Sequence, residues 1–237
     1  MIDPQKIERV MVFGAHGDDE IIGCGGTLAR LSELNKKILV VTFTYRETSY
    51  SKISGKPAAI KLAKAEMENA NEILGIEKRV VIGKPTRGVV NDKKTFERCM
   101  KLIRTFRPQV ILTHNATDHH RDHRAVSVMV DEAREKAAEN LQPDWGEPWE
   151  TPWLLHFEIF NLFSHPHFIM TFSKSCLEKK LKAMESQVSQ LSVLRGIQQQ
   201  ILGRAMDRGA FAGGEGVYGE AFMMSNYYPT FIKLGEV

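Results

Sequence analysis

Three cysteines in 237 residues, Cys24, Cys99 and Cys176, are far apart and odd in number, and none stands in CxxC spacing. That excludes a disulfide framework and a structural zinc knuckle, and it fits reduced thiols in a cytoplasmic protein. No apolar run approaches membrane-spanning length, and Met1-Ile2-Asp3-Pro4 opens without the apolar core of a secretory signal. Charge of one sign is missing as well. The net charge is +3, and Lys and Arg are scattered rather than gathered into a stripe, so there is no footprint for nucleic acid. Internal repeats and low-complexity tracts are absent, which leaves residues 1–237 as a single domain. Homo-oligomerisation is left open. An apolar fraction of 43% and a charged fraction of 26% are those of a globular chain long enough to bury a sizeable core.

What is present is a strand–helix alternation. Glu8–Ala15, Lys37–Thr44, Arg79–Gly83 and Gln109–His114 are apolar, β-branched runs, as expected of strands covered on both faces. Between and after them, Asp19–Asn35, Ala58–Leu74, Lys93–Phe106 and His123–Asn140 read as helices, with Gly75 closing the second. Four such repeats predict an α/β fold: a Rossmann-like, mostly parallel sheet with helices on both faces. Tyr45–Pro57 reads as a polar loop and Gln142–Pro152 as an ordered one. Trp153–Phe160 and Phe168–Phe172 read as further strands. Lys174–Arg208 holds one or two helices broken near Gly196 or Gly203, and Ala210–Gly219 is a glycine-rich loop before Glu220-Ala221-Phe222.

The chemistry-bearing residues sit in two clusters. Ala15-His16-Gly17-Asp18-Asp19-Glu20 follows the first strand, and Asp118-His119-His120-Arg121-Asp122-His123 follows the fourth. Both fall at carboxyl ends of parallel strands, where α/β sheets bind ligands. Charges concentrated there need a partner, because burying them unpaired is expensive. A divalent ion with three N/O ligands from the protein supplies one. His16 and Asp19 can converge on one ion, completed by His123. Asp18 and Asp19 cannot easily both bind, and the other carboxylate is placed as a base toward a water whose pKa zinc lowers to about 7. His120 then faces substrate as a general acid, oriented by Asp122. The set describes hydrolysis of an amide or ester without a Ser or Cys nucleophile. Taken singly, the first motif is explained as a helix N-cap and the second as a polar loop; their joint placement at strand ends argues against both. His114, His156, His165 and His167 read as structural or solvated, with His114 near enough to support the site. Met223 and Met224 read as core.

These residues resemble the LmbE-like or PIG-L-like deacetylases, zinc-dependent enzymes acting mainly on N-acetylglucosamine-type compounds. The family motif Ala-His-Pro-Asp-Asp-Glu reads AHGDDE here, with Gly17 for proline. Asp-x-His-x-Asp-His is matched by Asp118, His120, Asp122 and His123. Weaker likeness covers KLKAMESQ from Lys180 to Gln187 and the ending from Arg208 to Phe222. The resemblance implies metal binding by His16, Asp19 and His123, with Asp18 as general base and His120 as acid supported by Asp122. The choice of Asp19 over Asp18 as ligand rests mostly on it. It implies Zn2+ as cofactor, a donor set that would also accept Fe2+, Co2+ or Mn2+, and an N-acetylated sugar or glycoconjugate as substrate. The family's Gly-Glu-x-Gly loop is not reproduced in Tyr45-Arg46-Glu47-Thr48-Ser49-Tyr50. Arg46 and Glu47 are nonetheless expected to hold substrate hydroxyls.

Three other functions compete. A nucleotide-binding oxidoreductase lacks GxGxxG at the strand–helix junction and an acidic residue ending the second strand. A non-catalytic sugar- or metal-binding module would have no use for Asp18 and His120. A metal hydrolase of another small amide is not excluded.

Overall fold

The computed structural model describes residues 6–48, 55–213 and 216–227. Residues 49–54 of the predicted Tyr45–Pro57 loop and 214–215 of the glycine-rich stretch lie outside them. Seven strands form one sheet: β1 (Arg9–Gly14), β2 (Lys37–Thr44), β3 (Lys78–Lys84), β4 (Val110–His114), β5 (Trp153–Phe157), β6 (Phe168–Phe172) and β7 (Tyr218–Met224). Their order is β3-β2-β1-β4-β5-β7-β6. The first five in that order are parallel, and β7 lies antiparallel between β5 and β6. The helices are α1 (Asp19–Glu33), α2 (Lys56–Leu74), α3 (Lys93–Phe106), α4 (Arg121–Ala137), α5 (Lys174–Glu185), α6 (Val188–Leu191) and α7 (Ile197–Ala212). No helix among the described residues is long and apolar enough to cross a membrane.

The continuous apolar strands are buried on both faces because successive side chains enter different cores. Val10 and Val12 of β1 pack with Ile21, Leu74, Cys176 and Ile201, from α1, α2, α5 and α7. Met11 and Phe13 pack on the other side with Ile103 and Met129 of α3 and α4. The chain leaves β1 toward β2 on one side and meets β4 on the other. The strand order therefore reverses between β1 and β4, and their carboxyl ends open a crevice there. Both sequence clusters arrive at that crevice.

The second half departs from the sequence reading. β7 was not expected: Glu220-Ala221-Phe222 is too short and too close to glycines to declare a strand, and it is made one by β5 and β6 on either side. β5 stops at Phe157 rather than Phe160. The long helical stretch breaks twice, at Ser186-Gln187 between α5 and α6 and again before α7 at Gly196 (φ +71°), whereas Gly203 lies within α7, which runs on to Ala212.

Candidate metal centre and active site

Asp18 and Asp19 open α1, and Asp19 turns back so that its Oδ2 accepts the His16 amide at 2.7 Å. Helix α4 starts at Arg121, two residues earlier than predicted, because His120 caps it: Nδ1 accepts the Asp122 amide at 3.2 Å. That bond fixes the ring. With Nδ1 an acceptor, neutral His120 carries its proton on Nε2.

His16, Asp19 and His123 lie side by side. His16 Nδ1 lies 3.2 Å from His123 Nε2 and 3.5 Å from Asp19 Oδ2, and His123 Nε2 lies 3.3 Å from Asp19 Oδ1. Ligands bound at 2.0–2.2 Å around a tetrahedral ion stand roughly 3.3–3.6 Å apart, close to the spacing of the two histidine nitrogens, while Asp19 meets each of them through a different oxygen. The other ring nitrogens are already engaged: His16 Nε2 by Asp122 Oδ2 at 3.2 Å, and His123 Nδ1 by Asp118 Oδ1 at 3.1 Å. Carboxylates in that position hold a metal-binding imidazole in one tautomer and orientation. His114 is buried beside the trio, its ring stacked on His123 at 4.0 Å and its Nε2 3.0 Å from Asp19 Oδ2. Its Nε2 also accepts the Ala15 amide, which makes it a brace for the loop. Two overlapping ligand groups thus exist, His16/His120/His123 and Asp19/His114/His123. Neither group is the predicted trio itself, which shares His16 and His123 with the first and Asp19 and His123 with the second.

The electrostatics ask for a cation. Burial opposes a charge on His16, yet Asp19, Asp122 and Asp18 reverse this and raise its pKa to about 10. For His123 burial is likewise outweighed by Asp19 and Asp118, giving about 9. Burial also works against the Asp19 carboxylate, but His123, His114 and His16 hold it well below the usual range. A site that retains protons this tightly is one where a divalent ion replaces them favourably.

Three of the predicted residues have partners that the sequence reading did not give them. The Asp122 carboxylate serves His16 and the amides of Arg87 and Val89, not the His120 ring, because α4 turns it toward β1. Burial and the neighbouring His123 and His16 lower the His120 pKa to about 4, and Asp122 opposes them only weakly. Arg46 lines the site cavity, and its Nε and Nη1 have no hydrogen-bond partner among the described residues. It is buried, its Nη1 pairs with Asp18 Oδ2 at 3.3 Å, and its Nη2 donates to Glu66 Oε2 at 3.0 Å and Gln187 Oε1 at 2.9 Å. Glu47 uses both oxygens on Thr86, accepting its amide and its hydroxyl at 2.7 Å each, and so ties two loops together. The sequence reading also missed the roles of Asp118, Glu66 and Gln187. Asp118 was within the matched motif, but its partner His123 is chosen by the turn into α4. Gly17 has its own account: a Cβ there would stand 2.5 Å from Met67 Cγ, so Met67 fills the space a larger residue would take.

The cavity above these residues is about 190 Å³. Its lining combines His16, Asp18, Asp19, Arg46, His120 and His123 with the apolar Ile22, Ile159, Phe160, Val193 and Leu194, and with Thr48, Thr86, Arg87 and Gln190.

Fold and site together define a doubly wound α/β protein with His/Asp groups that could hold a metal ion at its strand switch point. The chain belongs to the PIG-L family, whose model, described as GlcNAc-PI de-N-acetylase, matches residues 11–134. One relative is the 1D-myo-inositol 2-acetamido-2-deoxy-alpha-D-glucopyranoside deacetylase of Rhodococcus erythropolis, 28% identical over 174 residues. The match covers 61% of this chain and 59% of that protein, so the chain spans about three fifths of the curated relative it matches. The fold is shared with the N,N'-diacetylchitobiose deacetylase of Pyrococcus horikoshii (TM-score 0.83, 20% identity, 94% of this chain and 85% of that one). It is shared equally with the 4-carboxy-2-hydroxymuconate hydratase of Pseudomonas putida KT2440 (TM-score 0.82, 20% identity, 98% and 99%). The fold alone therefore does not choose between hydrolysis and hydration.

Proposed function

We propose that the protein is a zinc-dependent N-deacetylase that removes the acetyl group of an N-acetylglucosamine-type sugar or glycoconjugate. The observation that carries this is the convergence of His16 Nδ1, His123 Nε2 and Asp19 at 3.2–3.5 Å, with Asp18 and His120 left over beside them. His16, Asp19 and His123 would hold the ion, which when bound polarises an acyl oxygen and makes a water acidic enough to attack near neutral pH. Asp18, set against Arg46, takes the proton from the attacking water. His120, with Nδ1 committed to the Asp122 amide, offers Nε2–H to the oxygen on which negative charge develops. The carboxylates Asp118 and Asp122 keep His123 and His16 in their binding tautomers. The apolar lining around Phe160 and Val193 suits the acetyl methyl and the C–H face of a sugar ring. The resemblance in Sequence analysis and the names of the relatives support the substrate class. The three buried, free cysteines support a reducing, cytoplasmic location.

The test is release of primary amine by zinc-loaded protein from a panel of N-acetylated sugars, sugar nucleotides and glycoconjugates. Protein that binds the metal yet frees no amine from any of them would overturn this reading.

A further inference from the structure

Helix α1 is broken one turn after the site. Cys24 leaves helical geometry (φ −146°, ψ 19°), and the segment Asp19–Gly23 stands as a short helix of its own. In an unbroken helix the Gly26 amide would donate to the Ile22 carbonyl. Here the two are parted and satisfied separately. Lys180 Nζ, from α5, donates to the Ile22 carbonyl at 2.9 Å. Glu220 of β7 accepts the Gly26 amide on Oε1 at 2.9 Å and the Thr27 amide on Oε2 at 2.8 Å. The two side chains close on each other at 2.6 Å, both buried. An ion pair thus occupies the gap in the helical ladder, with its cation on the orphaned carbonyl and its anion on the orphaned amides. Side chains inserted into the ladder are a known cause of kinks. The glycines permit the approach: a Cβ on Gly25 would stand 3.0 Å from Lys180 Cγ, and one on Gly26 would meet the Phe172 ring at 2.3 Å.

A single turn of helix has little stability of its own, so its position is set by what holds its ends. One end of Asp19–Gly23 carries Asp18 and Asp19. The other is held by Lys180 at Ile22, a residue that lines both the site cavity and a smaller one of about 10 Å³ beside Lys180 and Glu220. We infer that Lys180 and Glu220 are positioning residues, a wedge whose function is to fix the kink of α1 and with it the placement of Asp19 and Ile22 in the site. This rests on Asp19 being a metal ligand.

The test reads the metal site without turnover, by Co2+ affinity and the visible absorption of the Co2+-loaded protein. Lys180→Met/Glu220→Leu removes both charges, so neither is left unpaired, and lets Gly26 return to Ile22. Co2+ affinity should fall about 10-fold with a shifted spectrum, the size of effect seen when groups behind a ligand are removed. Lys180→Glu/Glu220→Lys keeps an ion pair but turns acceptors onto the carbonyl and donors onto the amides, and it should be equally impaired. Ile103→Val, remote in the other core, lowers stability and should leave affinity and spectrum unchanged. If the double variants do not fold, the isosteric Glu220→Gln decides, with a smaller loss expected in the same direction. A folded variant at Lys180 or Glu220 with wild-type affinity and spectrum overturns the inference. Wild-type protein that binds no Co2+ would instead defeat the metal assignment beneath it.

Discussion

Two clusters of buried charge share Ile22 as a wall, and they are built in opposite ways. Around Lys180 and Glu220 the charged groups find complementary partners, and the neighbouring Arg208 closes on Glu158 at 2.6 Å while donating to the Phe163 carbonyl. Around His16, Asp19 and His123 the polar side-chain atoms crowd to 3.2–3.5 Å of one another. The histidine pKa values there are driven apart, from about 10 at His16 to about 4 at His114 and His120. Matched donors and acceptors hold a chain in place. Groups of like function left facing each other mark a place for something the chain does not itself supply.

The sharpest way to break this contrast is to remove the site's own groups. His123→Ala should abolish stoichiometric metal, read by elemental analysis, and full retention would remove it from the ligand set. Asp18→Asn and His120→Ala should keep the metal and lower kcat by roughly 10²–10⁴. Arg46 stands between the two kinds: its Nη2 is matched by Glu66 and Gln187, while Nε and Nη1 lack a hydrogen-bond partner and the side chain lines the site. Arg46→Ala strands Asp18 and Glu66, and should cost roughly 3–5 kcal/mol in denaturant unfolding. Unchanged stability with a raised KM would return Arg46 to the substrate. Asp122→Asn weakens the hold on His16 and should reduce metal affinity roughly 10–100-fold, with no such loss expected for Glu47→Gln.

The pH dependence sharpens the same comparison. In the metal-free protein His16 and His123, at about 10 and 9, are protonated at neutral pH. Their pKa values lie above the ordinary histidine value, so the stability they contribute is fully present below about 6.5 and is lost as pH rises through 9 to 10. Metal must displace those protons. Uptake near pH 7 should release about two protons and weaken as pH falls. Calorimetry in buffers of different ionisation enthalpy counts them, and none released would mean the rings are already neutral. The smallest effect is expected far from the site. Asp92 caps α3 through the Thr95 amide, and Lys84 does most to hold its pKa down at about 2. Its contribution is present above about pH 4 and lost as pH falls through 2; Asp92→Ala should cost about 1 kcal/mol by thermal melting at pH 7, and less at pH 2.

The residues of the first half declare the fold because their signals are local. Apolar runs such as Val10–Phe13 and Lys37–Thr44 are buried on both faces wherever they stand in a parallel sheet. A histidine and carboxylates at the end of such a run are at the ligand-binding edge whatever the strand order. The strand order itself decides the rest. It brings Asp122 to His16 across 106 residues, Gln187 to Arg46 across 141 and Glu220 to Gly26 across 194. It also turns Arg46 inward, Glu47 onto Thr86, and the short Glu220-Ala221-Phe222 stretch into the middle of β7. In each case a polar group, once buried, must take the partner that packing puts within 3 Å or so, because leaving it unpaired costs more than any local preference supplies. Sequence alone names the groups that need partners, and the packed sheet assigns them.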